Sequence, residues 1–161
     1  MILMLISVIL LVGLDQYTKY LTVMNIEPTE YIPIIGDVFG LTYVKNEGSA
    51  FGMLQGQQWL FIIFTVVILI GMIYIFNKMP KDKKYYPLKF TLILFIAGAI
   101  GNFADRVRLK YVVDMLYFKL IDFPVFNMAD CYVVVGAILL IALMIFKYKD
   151  EDFAFLKRSK K

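Results

Sequence analysis

Two short stretches of this chain, Asn102-Phe-Ala-Asp105-Arg106 and Asn127-Met-Ala-Asp130, place an amide and a carboxylate three residues apart, and Asp114 stands between them within YVVDML. On a helix that spacing shares a face, so Asn102 lies beside Asp105 and Asn127 beside Asp130. All of them border hydrophobic runs, where a polar group needs a partner or a function. The chain has no histidine and one cysteine, Cys131. That removes Ser-His-Asp and Cys-His pairs, the His-Glu-x-x-His zinc helix, thiolate metal sites and an internal disulfide. Carboxylates, lysines and tyrosines remain to move protons. Two carboxylates within hydrogen-bond range tend to share one proton. The charged member then takes a proton from water while the protonated one polarises an amide carbonyl, with no need of a metal or cofactor. Asp114 and Asp130 are the pair most cheaply brought face to face, and Asn102, Asn127, Asp105 and Arg106 are placed to hold it and to fix a substrate backbone.

Positioning these groups falls to hydrophobic segments. Of 161 residues 61% are hydrophobic, and the mean hydropathy of +0.74 marks one small membrane domain rather than a soluble one. Four spans are expected at about 1–24, 59–76, 88–105 and 124–146, the last with Pro124 suited to a helix start. The first lacks the basic start and small-residue cleavage site of a removable leader, so it reads as a retained span. Within it Asp15 and Lys19 lie four apart, acid first, and can pair.

Residues 25–58 have a different texture, with Pro28, Pro33 and β-rich pieces at Tyr31–Ile35 and Val38–Val44 around Gly36-Asp37. They predict a small extramembrane sheet. The glycine-bearing run that follows, through Ser49 and Phe51 to Gly56, is expected along the interface, and Gly48, Gly52 and Gly56 would permit it to move as a lid. A basic loop at 77–87, a polar-apolar connection at 107–123 and a charged tail at 147–161 complete the chain.

Eleven of the seventeen basic residues fall in or beside the 77–89 loop and the tail, and nine of the thirteen acids fall on the other side. The positive-inside rule puts both termini in the cytoplasm and the polar cluster toward the outer face. The same distribution explains the net charge of +4 without a nucleic-acid partner.

Five ordered pieces carry a family resemblance: Asp15-Gln16-x-x-Lys19; Asn46-x-Gly48-Ser49-Ala50-Phe51; Gly98-x-x-Gly101-Asn102-x-x-Asp105-Arg106; Val112-Val113-Asp114; and Phe126-Asn127-x-Ala129-Asp130. Their joint order resembles the bacterial lipoprotein signal peptidases, the signal peptidase II family of integral-membrane aspartic proteases. The resemblance implies a mainly α membrane protein, a four-transmembrane-helix bundle with a small extracytoplasmic β-sheet cradle, in the bacterial cell membrane. It makes Asp114 and Asp130 the catalytic pair. Asp15, Lys19, Asn46, Gly48, Asn102, Asp105, Arg106, Asn127 and Ala129 become pocket supports or substrate contacts. It implies cleavage of prolipoproteins before a cysteine bearing diacylglyceryl, contact with membrane lipids, inhibition by globomycin-type cyclic peptides, and no metal or cofactor. Ser49 stands where the family often has alanine, and Met115 where phenylalanine is common.

Other readings are weaker. Ser49 with Lys19 or Lys45 would make a serine-lysine protease, but nothing in the sequence fixes that geometry. Cys131 reads as a packing residue, having no base near it in sequence. A transporter would spread charge through the membrane depth, and a scaffold would not need clustered carboxylates.

Overall fold

Chain length and apolarity make four helices able to cross a membrane, and they dominate the computed structural model, which describes residues 2–48 and 57–156. In order these are α1 (Ile2–Asn25), β1 (Ile32–Ile35), β2 (Phe39–Asn46), α2 (Gln58–Lys78), α3 (Tyr86–Leu109), β3 (Val112–Tyr117) and α4 (Met128–Phe146), with short 3-10 turns at Lys83–Tyr85, Lys119–Ile121 and Asp150–Leu156. Most of the glycine-bearing run, with Ser49 and Phe51, and the last residues of the tail lie outside the described residues.

The helix at the centre is α3. Nine residues of α3, from Leu88 to Asp105, are buried, whereas α2 buries only Gln58 among the described residues. Small residues let α3 sit between its neighbours. A Cβ on Gly98 would lie 2.5 Å from the Ala129 carbonyl of α4, and one on Gly101 would lie 2.5 Å from Asp15 Oδ2 of α1. Gly101→Ala should therefore lower the melting temperature in detergent by about 5 °C, the equivalent of 1–3 kcal/mol of overpacking. Gly13→Ala has open space at its Cβ and should leave melting unchanged or slightly raised. Equal melting of the two variants would show that the close approach is not needed.

The three strands form one antiparallel sheet in the order β1-β2-β3. The hairpin turns through Gly36, at φ +45°, where sequence placed it. Strand β3 is new: it lies inside the stretch expected only as a connection, and it pairs Asp114 with Val44 and Val112 with Asn46. The β-branched and aromatic residues of YVVDMLY were the available signal. Tyr43, Val113 and Met115 pack with Ile26 into a cluster that seats the sheet on the end of α1.

Two boundaries differ from expectation for physical reasons. The fourth helix starts at Met128 rather than Pro124, because Asn127 caps it and residue 126 is instead bridged to Leu116 of β3. The third runs four residues past Asp105, carrying Arg106 and Arg108 in its last turn, where cations suit the helix dipole, and Lys110 ends it at φ 69°. At the end away from the sheet, Asp150–Leu156 is not a loose charged tail. Phe153 and Phe155 pack against Met79, Leu88 and Tyr148.

Candidate active site

The sheet end of the bundle brings together side chains from α1, β2, α3, β3 and α4. Strand β3 carries Asp114, 2% exposed, and two amides address it. Asn46 Nδ2 donates to its Oδ2 at 2.8 Å, and Asn127 Nδ2 to its Oδ1 at 2.6 Å. Asn46 is itself held by the Gly48 N–H, which donates to its Oδ1 at 3.0 Å. Burial is the main reason that the Asp114 carboxyl is pushed up to about 7, and the nearby charge of Asp130 adds to it, against the lowering effect of the two amides.

Asp130 occupies the third position of α4 and completes a capping box: the Asn127 N–H donates to Asp130 Oδ2 at 3.1 Å, and the Asp130 N–H donates back to Asn127 Oδ1 at 3.0 Å. Its other oxygen, Oδ1, accepts from Asn102 Nδ2 at 2.8 Å. Asn127, wholly buried, thus links the two aspartates, touching Asp114 with its amide and Asp130 through its main chain.

Beneath lies a buried ion cluster. Lys19, 3% exposed, sits 3.0 Å from Asp15 Oδ2 and 2.9 Å from Asp105 Oδ2, and donates to Asn102 Oδ1 at 2.9 Å. Such charges are tolerable only when each is paired and hydrogen-bonded. Asp15 Oδ1 accepts from the Ala129 N–H at 2.9 Å, one of the orphan donors at the start of α4. Asp105 Oδ2 accepts from the Val113 N–H at 3.1 Å, which ties β3 to α3.

The two aspartates open onto one cavity of about 990 Å³, whose wall also includes Asn46, Gly48, Asn102 and Arg106. The rest of that wall is largely apolar, with Phe118, Ile121, Phe123, Val133 and Val134. Of the residues singled out by resemblance, Asp15, Lys19, Asp105, Asn127 and Ala129 are buried and do not line this cavity. Arg106 reaches it with its guanidinium 4.9 Å from the Phe61 ring centroid.

Gln16 was not among the expected site residues. Its Nε2 donates to Asp105 Oδ1 at 2.9 Å and to the Gly101 carbonyl at 3.2 Å, locking α1 to α3. A lone amide in an apolar run beside Asp15 was the signal. Phe61 had none, because its contact with Arg106 depends on how α2 leans. Cys131 was read as packing, yet it lines the cavity.

A family model described as Signal peptidase (SPase) II matches residues 7–146. The chain is 52% identical over 137 residues to a lipoprotein signal peptidase of Caldanaerobacter subterraneus subsp. tengcongensis, covering 84% of this chain and 91% of that protein. It is 44% identical over 147 residues to one of Streptococcus pyogenes serotype M5, covering 91% and 93%. A bacterial membrane enzyme solved by the in meso method at 2.3 Å resolution superposes with a TM-score of 0.80 at 32% identity, over 98% of this chain and 93% of that one. A second, at 1.9 Å resolution, gives 0.79 at 33% identity over 90% and 94%. With a match of that extent in both sequence and fold, the chain belongs to the signal peptidase II family of lipoprotein signal peptidases.

Proposed function

We propose that this protein removes signal peptides from prolipoproteins by an aspartate dyad, cutting before a cysteine that carries diacylglyceryl. The observation that carries the reading is that Asp114 and Asp130, bridged by Asn127, face one cavity with a long apolar wall. The carboxyls supply acid and base; the wall suits acyl chains.

Asp130, held by two N–H donors, takes a proton from the attacking water, whose oxygen bonds to the scissile carbonyl carbon. Asp114, raised to about 7, gives its proton to the carbonyl oxygen. Collapse of the tetrahedral intermediate breaks the C–N bond. The leaving amine takes the proton from Asp130, and the diol returns one to Asp114. Arg106 and Asn102, on the cavity wall, present N–H donors to the substrate backbone.

The same reading puts the sheet and cavity at the outer face of the cell membrane, with both termini cytoplasmic. The basic loop and tail support this orientation. Diacylglyceryl would enter from the bilayer, and a globomycin-type cyclic peptide would compete for the same cavity.

The test is cleavage of a diacylglyceryl-modified precursor by the purified protein, with the unmodified precursor as control. Only the modified one should be cut, and equal cleavage of both would reject the lipid requirement. Turnover should follow a bell-shaped pH profile whose basic limb falls through about pH 7, as the Asp114 proton is lost. It should be indifferent to EDTA. Loss in chelator with recovery on adding a metal would contradict the dyad mechanism.

A further inference from the structure

We propose that Lys19 is a positioning residue for the reaction: held between Asp15 and Asp105, its ammonium grips Asn102 Oδ1 and so orients and polarises the amide whose Nδ2 donates to Asp130. The proposal rests on the dyad reading above and deepens it.

An ammonium has only hydrogens to give, so the group that meets it must present an oxygen. Lys19 Nζ lies 2.9 Å from Asn102 Oδ1, which commits the opposite corner of that planar amide, Nδ2, to Asp130 Oδ1 at 2.8 Å. Turned over, the amide would aim its oxygen at the carboxyl and lose both contacts. Asn127 Nδ2 donates to the same Asn102 oxygen at 3.1 Å and reinforces the choice.

Polarisation adds to orientation. A cation on the oxygen of an amide draws electrons from its nitrogen, and hydrogen bonds in such a chain strengthen one another in a low-dielectric surrounding. Lys19 does not line the cavity and is only 3% exposed, so it acts on the pair from behind rather than on substrate.

Other charged and titratable groups belong to the same cluster or line the cavity beside it. They are Asp15 on α1, Lys45 and Glu47 at β2, Asp105 and Arg106 on α3, Asp114 on β3, and Asp130 and Cys131 on α4. Among them Lys19 is the cation bonded to an amide that also bonds a dyad oxygen.

The experiment is the pH dependence of kcat/KM for full-length protein in detergent or nanodiscs, on Lys19→Gln, Asn102→Ala, their combination, and Lys19→Gln/Asp105→Asn. The last removes one charge of each sign, so the cluster keeps its net charge, and Asn can still accept from the Val113 N–H. It serves if Lys19→Gln alone leaves too much uncompensated charge to fold. Lys19→Gln should shift the acidic limb upward by about one pH unit, since a positive charge that favours a carboxylate is gone. The shift should persist in the charge-balanced pair, and adding Lys19→Gln to Asn102→Ala should produce little further movement. Lost turnover with an unmoved profile would overturn the proposal, leaving Lys19 a purely structural residue. A shift that vanishes in the charge-balanced pair, or that is undiminished without Asn102, would overturn the route through the amide. Asp114→Asn is the control for the underlying reading: turnover retained there rejects the dyad itself, whereas an inactive Asp114→Asn beside an unmoved Lys19→Gln rejects the relay alone.

Discussion

Purified Asp114→Asn and Asp130→Asn should each lose turnover of a lipid-modified precursor by about 10³-fold or more, while staying membrane-inserted and folded. On the proposed dyad mechanism, each substitution removes one half of a proton-sharing pair but keeps shape. The structural cost is bounded by the hydrogen bonds. Both Asp114 oxygens accept from amide nitrogens, so an asparagine there must turn its own NH₂ toward Asn46 or Asn127 and leave one donor unmatched. At position 130 an asparagine can still accept from the Asn127 N–H but then faces Asn102 Nδ2 with a second donor. One mismatched buried donor costs about 1–3 kcal/mol, too little to account for such a loss of rate. Melting temperature and activity measured on the same preparation separate the two effects. Retained turnover in either variant would remove that aspartate from the chemistry.

Asp15→Ala should be the most destabilising single change at the site. Asp15 is wholly buried; one oxygen contacts Lys19 and the other accepts from the Ala129 N–H at the start of α4. Removing it leaves an ammonium short of one of its two carboxylates and a helix donor without an acceptor. Breaking a buried pair from one side costs about 3–5 kcal/mol, which at this chain length is roughly 10 °C of melting temperature. Activity should fall with it, because Asp15 fixes α1 against the helix that carries Asp130. Unchanged melting with lost activity would make Asp15 a participant in substrate binding, a role its burial argues against.

The helices and the hairpin were legible because their signals are local. Long uncharged runs mark spans, and Gly36-Asp37 between β-rich pieces marks a turn. The grouping of Asn102, Asp105, Asn127 and Asp130 was also legible, since the ends of neighbouring helices must meet, but Asn127 reaches Asp130 as the cap of α4 rather than across a helical turn. What escaped was whatever depends on a distant partner. Val112–Tyr117 is a strand because β2 offers it an edge, and Pro124 does not begin a helix because Phe126 is engaged by Leu116. Spacing paired Lys19 with Asp15, and only the resemblance made it a pocket support or substrate contact. Its contacts with Asp105 and Asn102 join residues more than eighty positions apart, which periodicity cannot reveal.

That separation bears on how the cell makes the protein. The Lys19–Asn102 bond spans 83 residues and the bond from Ala129 to Asp15 spans 114, so the emerging polypeptide holds no finished site while its early helices are already in the bilayer. Hydrolytic power arrives only when the last helix docks. A half-synthesised copy therefore lacks both the amide bridge and the anchor of the first helix.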